Sequence, residues 1–247
     1  MASQIDISVD GHVMVLTINR PDKRNALTQQ MYTELRNQLL AADEDDNIRA
    51  YLIRGQQDCF TAGNDLSNFV EGEFGESNQA VKFIKVLPKL RKPLIAAVGG
   101  SAVGVGVTLL PHCDMVIAAD NAKFAMPFVN LGIVPEAGSS TLIPQMCGGP
   151  LAAELLLLGE PFDVEKAKQV GLVNHSCAPE ELITLAMEYA QKFASRPPQA
   201  MQHAKALLKL SQPQLSSVLQ TEFDGLAQRL SSQETQALFA ALLKRSQ

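Results

Sequence analysis

The chain has 247 residues, a length that fits one large domain, or a domain with an appendage, and that leaves ample sequence to bury a core. Hydrophobic residues make up 46% and charged residues 19%, which is typical of a soluble globular protein and excludes a disordered or fibrous chain. The net charge of −5 and the scattered basic residues argue against a nucleic-acid groove.

The first part of the chain predicts short strands that alternate with helices. The segment "QIDISVDGHVMVLTIN" has two alternating apolar runs joined at Asp10-Gly11, which predicts a β-hairpin. Thr28 is the expected N-cap of the helix that follows. Further strands are predicted in "AYLIRG", "PLIAAVGG" and "MVIAAD", with helices over 79–89 and after Gly106, where Pro111 should shorten or kink the helix. This alternation favours an α/β layered fold.

From about Pro179 onward the pattern becomes helical throughout. The last helix is predicted to open with a capping box formed by Ser231 and Glu234. We therefore divide the chain into a core that carries the site, residues 1–190, and a helical C-terminal region, residues 191–247. Helices too short to form a core alone should pack on the α/β body or on a neighbouring subunit.

Cysteine and histidine spacing predicts neither a metal site nor a disulfide framework. The four cysteines show no C-x-x-C spacing, and the four histidines are equally dispersed. The N-terminal segment has no apolar signal core, and no run is long enough to span a membrane. We therefore expect a cytoplasmic protein with no membrane or nucleic-acid partner.

Three stretches are rich in small residues: "FTAGNDL", "GGSAVGVGVTLL" and "PEAGSS". The stretch "GGSAVGVGVTLL" does not match two known nucleotide-binding motifs. Val105 stands where a P-loop needs lysine, and Leu109 stands where a dinucleotide-binding fingerprint needs its last glycine. A nucleophile elbow is also excluded, since Val103 replaces its closing glycine. What remains is tight turns, whose free backbone N–H groups can hold an anion or a developing oxyanion.

Five segments together resemble the crotonase (enoyl-CoA hydratase/isomerase) superfamily, in the right order and over almost the whole chain. They are "NRPDKRNALT", "FTAGNDLSNF", "KPLIAAVGGSAVGVGVTLL", "CDMVIAADNAKFAMPFVNLGIVPEAGSS" and "GEPFDVEKAKQVGLVN". The resemblance implies a spiral of repeated β-β-α turns with a helical C-terminal region that builds a homotrimer or a dimer of trimers. It also implies an acyl-CoA substrate, with coenzyme A as part of the substrate and no further cofactor.

The resemblance places an oxyanion hole for the thioester carbonyl at the backbone amides of Asn64 and Val105. In the same loops it implies further substrate contacts. Ala62, Asp65 and Leu66 would frame the adenine of CoA, the loop of Lys23, Arg24 and Ala26 would meet its phosphates, and Gly104 precedes the second donor. For Asp65, a turn-capping role is an equally good interpretation.

Hydratases of this superfamily use two glutamates, whose positions fall here on Thr108 and Phe128. Glu136 instead stands where hydratases have glycine, and the "GNDL" and "PEAGSS" segments resemble peroxisomal-type Δ3,Δ2-enoyl-CoA isomerases, in which this glutamate is the base. Asp114 and Asp120 flank a strand and are better interpreted as structural end-caps. Apolar neighbours should raise the pKa of Glu136. The competing interpretation is a surface-loop glutamate after a turn proline.

The acyl pocket is predicted to be lined by Phe69, Phe74, Met126, Phe128 and Leu131. The predicted activity is double-bond migration by a single glutamate through an enolate. The alternatives are hydratase-like or other crotonase chemistry, such as thioester hydrolysis or a specialised degradation step, and a non-catalytic acyl-CoA-binding protein. A charge kept in an apolar pocket disfavours the last alternative, since binding alone would gain by its loss.

Overall fold

The computed structural model describes residues 3–65 and 77–245, with side chains as far as residue 241. The strands in these ranges are β1 Ile5–Asp10, β2 Val13–Ile18, β3 Ala50–Arg54, β4 Cys59–Thr61, β5 Leu94–Val98, β6 Ser101–Val103, β7 Met115–Ala119, β8 Lys123–Ala125, β9 Phe162–Asp163 and β10 His175–Cys177. The helices are α1 Gln29–Glu44, α2 Gln79–Ile84, α3 Val105–Thr108, α4 Ser139–Cys147, α5 Gly149–Ala153, α6 Val164–Gln169, α7 Leu182–Ala194, α8 Pro198–Lys209, α9 Leu215–Leu230 and α10 Gln233–Arg245.

Two sheets organise the body of the protein. Among the described residues, a six-stranded sheet has the order β1-β2-β3-β5-β7-β10 and a four-stranded sheet the order β4-β6-β8-β9. β1 pairs with β2 and β8 with β9 in antiparallel fashion, and the other neighbours are parallel. The chain crosses from the large sheet to the small one after β3, β5 and β7 in turn. This stepwise repeat confirms the predicted α/β spiral with C-terminal helices.

The inner strands β2, β3, β5 and β7 of the large sheet are buried on both faces, which explains why they consist of nearly continuous apolar residues. Because successive side chains of a strand point to opposite faces, Ala50 and Leu52 of β3 lie toward α7. Tyr51 and Ile53 belong to the main core on the other face. The active groups described below lie on the side of the main core.

The C-terminal helices pack on the α/β body. Ala186 and Ala190 of α7 are fully buried against the large sheet, and the predicted boundary at residue 190 falls inside this helix. α9 lies against α4, and its residues Leu219 and Phe223 belong to the main core. Within the described ranges, no helix has the length and apolar character that crossing a membrane requires.

Local signals were correct for the start of α1 and wrong at two later positions. The Thr28 hydroxyl accepts the N–H of Met31, as predicted for its N-cap. The helix predicted over 79–89 ends at Ile84, and a short 3₁₀ turn over Leu87–Lys89 follows, because Pro88 lacks an N–H group.

The predicted capping box of the last helix is also wrong. The cap of α10 is Ser232, whose hydroxyl accepts the N–H of Thr235. Ser231 instead bonds back to Ala227 in the preceding helix, and Glu234 pairs with Arg229. The helix begins one residue later than the sequence suggested. Pro111 does have the predicted effect, because α3 ends at Thr108 and a 3₁₀ turn follows.

Candidate active site

A buried asparagine fixes the segment that leads into the first glycine turn. The Asn25 amide donates to the carbonyl oxygens of Cys59 at 2.9 Å and Phe60 at 3.2 Å. In return, the Thr61 hydroxyl donates to the Asn25 carbonyl at 2.6 Å and accepts the N–H of Gly63 at 3.0 Å. These bonds hold the end of β4 in one position, so that the following turn is rigidly placed.

The loop predicted to meet the phosphates of CoA lies beside this turn. Lys23 and Arg24 are exposed there. The Arg24 carbonyl accepts the Ala62 N–H at 2.9 Å, and its guanidinium donates to the Ser101 hydroxyl at 2.9 Å. The carbonyl of Ala26 accepts a bond from Arg20 at 2.9 Å. The loop therefore presents two cations next to the site, and their contact with phosphate stays a prediction.

Asp65 is engaged within the protein. Its carboxylate forms an ion pair with Arg20, and both side chains are largely buried. Its backbone N–H donates to the carbonyl of Leu27 at 3.0 Å. A structural role is therefore the one supported by contacts, and a contact between Asp65 and a ligand remains a prediction.

Two glycine turns present backbone N–H groups without acceptors. Gly63, with a φ of +91°, precedes Asn64, and Gly104, with a φ of +56°, precedes Val105. Within the described residues, neither the Asn64 nor the Val105 amide hydrogen has an acceptor. Val105 is the first residue of α3, where an N–H lacks an intrahelical partner. The two predicted donors are thus free to bind an oxygen.

A tyrosine that the sequence did not single out holds the side chain of Asn64. The Tyr32 hydroxyl of α1 donates to Asn64 Oδ1 at 2.6 Å. Burial, and secondarily the charge of Glu136, raise the pKa of Tyr32 well above its usual value. Tyr32 therefore stays a hydrogen-bond donor at any working pH.

Glu136 is buried, with 3% of its surface exposed, so the surface-loop interpretation is wrong. Thr108, at the end of α3, donates a hydrogen bond to its Oε1, while Oε2 is buried without a partner in the described residues. Burial, together with the charge of Glu222 and against the effect of the Thr108 hydrogen bond, raises the pKa of Glu136 to about 8. The side chain combines a free oxygen with the basicity that proton abstraction needs.

The turn that follows Glu136 has an unusual backbone and is held from outside. Ala137 and Gly138 have φ values of +60° and +76°, a left-handed conformation that is unfavourable for alanine. The Ala137 carbonyl lies 2.7 Å from Nε2 of His112. The Glu222 carboxylate, from α9, accepts the N–H of Gly138 at 2.6 Å and that of Ser140 at 3.0 Å. Burial lowers the pKa of His112 to about 4, so its ring is neutral near pH 7.

The start of the same segment is held by the C-terminal helices. The carbonyl of Gly132 accepts a bond from Arg229 at 2.9 Å and one from the Thr235 hydroxyl at 2.7 Å. Sequence reasoning missed these groups as well as Tyr32, His112 and Glu222. One signal was available, because Glu222 falls on the apolar stripe of α9 that Leu219 and Leu226 define.

The two free amides and Glu136 face one small cavity of about 50 Å³. Glu136 is the only acidic side chain among the described residues that line it. The lining residues are Ala62, Gly63, Asn64, Val103, Gly104, Val105, Pro127, Phe128, Leu131, Ile133, Glu136 and Leu226. Apart from the groups named above, the wall is apolar, which strengthens electrostatic interactions inside it.

The structure brings Phe128 and Leu131 of the predicted acyl pocket to this wall but not Met126. Met126 is fully buried in the core and is not among the described residues that line the cavity. Leu66, Phe69 and Phe74 lie outside the described residues. Leu226 of α9 lines the cavity and was not predicted.

A larger cavity of about 450 Å³ lies elsewhere, between Arg49 near the start of β3 and the start of α8. None of the predicted catalytic groups reaches it. Size alone therefore does not identify the active site, whereas the free donors and the buried carboxylate do.

The arrangement of the small cavity fits proton transfer next to a carbonyl group. Two N–H donors can stabilise the oxygen of an enolate, a contribution that is typically worth about 10²–10³ in rate. A carboxylate with a raised pKa can take and return a proton. Thr108 and Phe128 supply no second carboxylate at this wall.

Comparisons with known proteins identify the family to which the chain belongs. The sequence profile of the family described as "Enoyl-CoA hydratase/isomerase" matches residues 8–244. The 2,3-dehydroadipyl-CoA hydratase of Escherichia coli is 36% identical over 212 residues, which cover 85% of this chain and 83% of that protein. Enoyl-CoA delta isomerase 2 of Rattus norvegicus is 35% identical over 236 residues, 92% of this chain and 60% of the length of the rat protein.

A solved structure extends the likeness to the backbone. The OdaA structure of Pseudomonas aeruginosa matches with a TM-score of 0.95 at 38% sequence identity, over 98% of this chain and 99% of that one. The profile match covers nearly the whole chain, and each relative covers well over two thirds of it. The protein therefore belongs to the enoyl-CoA hydratase/isomerase family of the crotonase superfamily.

Proposed function

We propose that this protein is an enoyl-CoA isomerase that moves a double bond from the Δ3 to the Δ2 position of an acyl-CoA. The observation that carries the proposal is Glu136, a buried carboxylate with a free Oε2 and no second acidic side chain among the described lining residues. Isomerisation needs one group that takes a proton and returns it, whereas hydration also needs a group that activates water.

In the proposed reaction, the thioester oxygen accepts hydrogen bonds from the amides of Asn64 and Val105. Oε2 of Glu136 removes a proton from C2, and the electron pair moves onto the carbonyl oxygen as a dienolate. The same carboxyl group then returns the proton to C4, so that the C3–C4 double bond becomes a C2–C3 double bond. No atom is gained or lost, and we propose that coenzyme A enters only as part of the substrate.

The pKa of Glu136 sets the expected pH dependence of the reaction. Since only its ionised form takes the proton, kcat/KM should rise with pH and level off above about pH 8. A water-activating pair of carboxylates would also give a falling limb at higher pH.

The decisive experiment supplies the protein with a 3-enoyl-CoA and, separately, with a 2-enoyl-CoA. Formation of the conjugated thioester from the first substrate, measured by its ultraviolet absorbance, with little loss of that absorbance from the second, supports isomerisation. The second candidate is hydration, which the name of the Escherichia coli relative favours. Hydration of the 2-enoyl-CoA at a rate equal to isomerisation would contradict the proposal.

We also propose a homotrimer or a dimer of trimers. Leu207, Leu208 and Leu210 at the end of α8 are between 67% and 75% exposed, which is a large apolar surface for a single subunit. Light scattering at micromolar concentration should give three or six times the mass of one chain. A monomeric mass would contradict this proposal.

A further inference from the structure

A buried carboxylate outside the catalytic cavity contacts the turn that carries Glu136. Glu222 of α9 is 7% exposed and does not line the cavity. It accepts the backbone N–H groups of Gly138 and Ser140 at 2.6 and 3.0 Å and the Ser140 hydroxyl at 2.5 Å. Burial raises the pKa of Glu222, but the bonds from Ser140 and Gly138 act against this by stabilising its ionised form, since backbone amides can only donate.

The turn needs such support because of its backbone conformation. Two successive residues, Ala137 and Gly138, have left-handed φ angles, and the first of them carries a Cβ. His112 holds the carbonyl of Ala137, and Glu222 holds the next amide along the chain. Strained backbone of this kind persists only where surrounding groups determine it. The direction of the Glu136 side chain depends on this backbone.

We propose that Glu222 is a positioning residue for Glu136, which fixes the turn so that Oε2 of Glu136 points into the cavity. This inference rests on the proposed function, because the assay that tests it measures double-bond isomerisation. It assigns a catalytic consequence to a helix of the C-terminal region that contributes no reacting group. Catalysis is sensitive to such placement, since a misplacement of about 1 Å can cost about 10²-fold in rate.

Glu222 also differs from the other polar groups that face Glu136. Those groups are Tyr32 of α1 and Thr108 of α3, and beside them His112 of the following 3₁₀ turn bonds to the carbonyl of the next residue, Ala137. Near pH 7 Tyr32 is a neutral phenol and Thr108 is a neutral hydroxyl. His112 is a neutral imidazole, because burial lowers the pKa of His112 to about 4. Glu222 is the nearby group whose charge raises the pKa of Glu136. Removal of that charge should therefore lower the pKa of Glu136.

The test uses Glu222→Gln in the full-length protein. Glutamine keeps the size of the side chain, but its NH₂ group is a donor and cannot accept a bond from the backbone N–H or hydroxyl group that it faces. The attachment of α9 to the turn is therefore weakened. We expect kcat to fall by about 10–100-fold while KM changes by less than about twofold, because the two oxyanion donors are untouched. The midpoint of the kcat/KM profile should also move to lower pH, since the repelling charge has gone.

Asp224→Asn is the matched control. Asp224 lies on the same helix two residues away, is exposed, and bonds only to Gln220 among the described residues. The variant removes the same charge without touching the turn, so kcat and the pH midpoint should match the wild type. Equal losses in both variants would overturn the proposal, as would a Glu222→Gln enzyme with the wild-type kcat and pH profile.

A second variant covers the case in which Glu222→Gln fails to fold. Ser140→Ala removes one of the three donors and leaves the charge of Glu222 in place. We expect kcat to fall by about two- to fivefold, which corresponds to one hydrogen bond, with no movement of the pH midpoint. Loss of thermal stability with an unchanged kcat per folded molecule in this variant would show a merely structural role and overturn the proposal.

A second assay separates failure of this inference from failure of the proposed function. Exchange of the C2 protons of butyryl-CoA in heavy water, followed by NMR, needs the base and the oxyanion hole but no double bond. A wild type that exchanges without isomerising would contradict the proposed function, and the exchange rate of Glu222→Gln would still test positioning. A wild type that neither exchanges nor isomerises would overturn both.

Discussion

The two halves of the candidate active site are built in different ways. The proposed oxyanion donors Asn64 and Val105 follow glycines, and their positions depend mainly on the backbone at the end of β4, the end of β6 and the start of α3, with the Asn25 side chain also holding the end of β4. Glu136 lies on a turn whose own backbone hydrogen bonds join only residues that are close in sequence. Its position depends on side chains from distant parts of the chain, among them His112 and Glu222.

This difference determines which substitutions should disturb each half of the site. A donor that is a backbone amide needs only a particular φ and ψ, so the residue that allows this conformation is the critical one. A base that is a side chain needs a direction as well, and that direction is set by whatever holds its backbone. We therefore expect local glycine changes to damage the donors and remote side-chain changes to damage the base.

The largest effect should come from the base itself. Glu136→Gln keeps the size of the side chain but removes the charge that accepts a proton, so kcat for double-bond migration should fall by at least about 10²–10⁴. Binding of acyl-CoA should survive, because the donors at Asn64 and Val105 are unchanged. A stopped assay with a 3-enoyl-CoA measures the rate, and an enzyme of near wild-type rate would show that Glu136 is not the base.

The same variant should be more stable than the wild type at high pH. The pKa of Glu136 is raised from 4.5 to about 8 in the folded state, so the folded wild type loses stability as pH rises between these values. Glutamine has no such dependence. The stability advantage of Glu136→Gln should grow across that window by about 5 kcal/mol, the free energy that corresponds to the raised pKa of Glu136. Chemical unfolding near pH 5 and pH 9 measures it, and a constant difference would contradict the assigned pKa.

The next largest effect should come from a glycine that precedes a donor. Gly104 has a φ of +56° and a ψ of −119°, which alanine does not readily adopt, so Gly104→Ala should turn the Val105 amide away. We expect kcat/KM to fall by about 10²–10³, as for the loss of one donor. Gly11→Ala is the control, because Gly11 has a φ of +59° and, like Gly104, no atom near the added Cβ. A similar loss in both variants would contradict the prediction.

The contrast between local and remote support also explains what the sequence could and could not predict. The glycines before Asn64 and Val105, the apolar strands and the Thr28 cap are local patterns, and the structure has them where predicted. His112 and Glu222 act on a turn that is 25 and 84 residues away in the chain. No local pattern encodes such a pairing, and it becomes visible only when the fold brings the elements together.

Met126 shows the same limit for the predicted pocket. Its apolar character and its place beside Phe128 suggested a pocket wall, yet both residues are buried and only Phe128 reaches the cavity. Residues two apart share one face of a strand, but β8 ends at Ala125, so strand alternation does not extend to Met126 and Phe128.

A smaller effect is expected from Thr108, the direct partner of Glu136. Thr108→Val keeps the shape of the side chain but removes the hydroxyl that stabilises the charged form of Glu136. The pKa of Glu136 should rise above about 8, so the increase of kcat/KM with pH should shift upward by about one pH unit. At pH 7 the activity should fall by about tenfold, and the gap should close at high pH. Thr108→Ser retains the hydroxyl and should keep the wild-type profile.

The smallest effect should come from Tyr32, which supports the donor side from a distance. Tyr32→Phe removes the 2.6 Å hydrogen bond to Asn64 Oδ1 but leaves Gly63, the Asn25 contacts to β4 and the backbone of the turn in place. Because the donor is the amide of Asn64 and not its side chain, kcat/KM should fall by no more than about threefold, less than one typical hydrogen bond. The partly buried side-chain amide oxygen of Asn64 then lacks its donor, so thermal unfolding should show a stability loss of about 1 kcal/mol. A loss of activity as large as that of Gly104→Ala would mean that the Asn64 amide is positioned by its side chain, and that both halves of the site depend on remote groups.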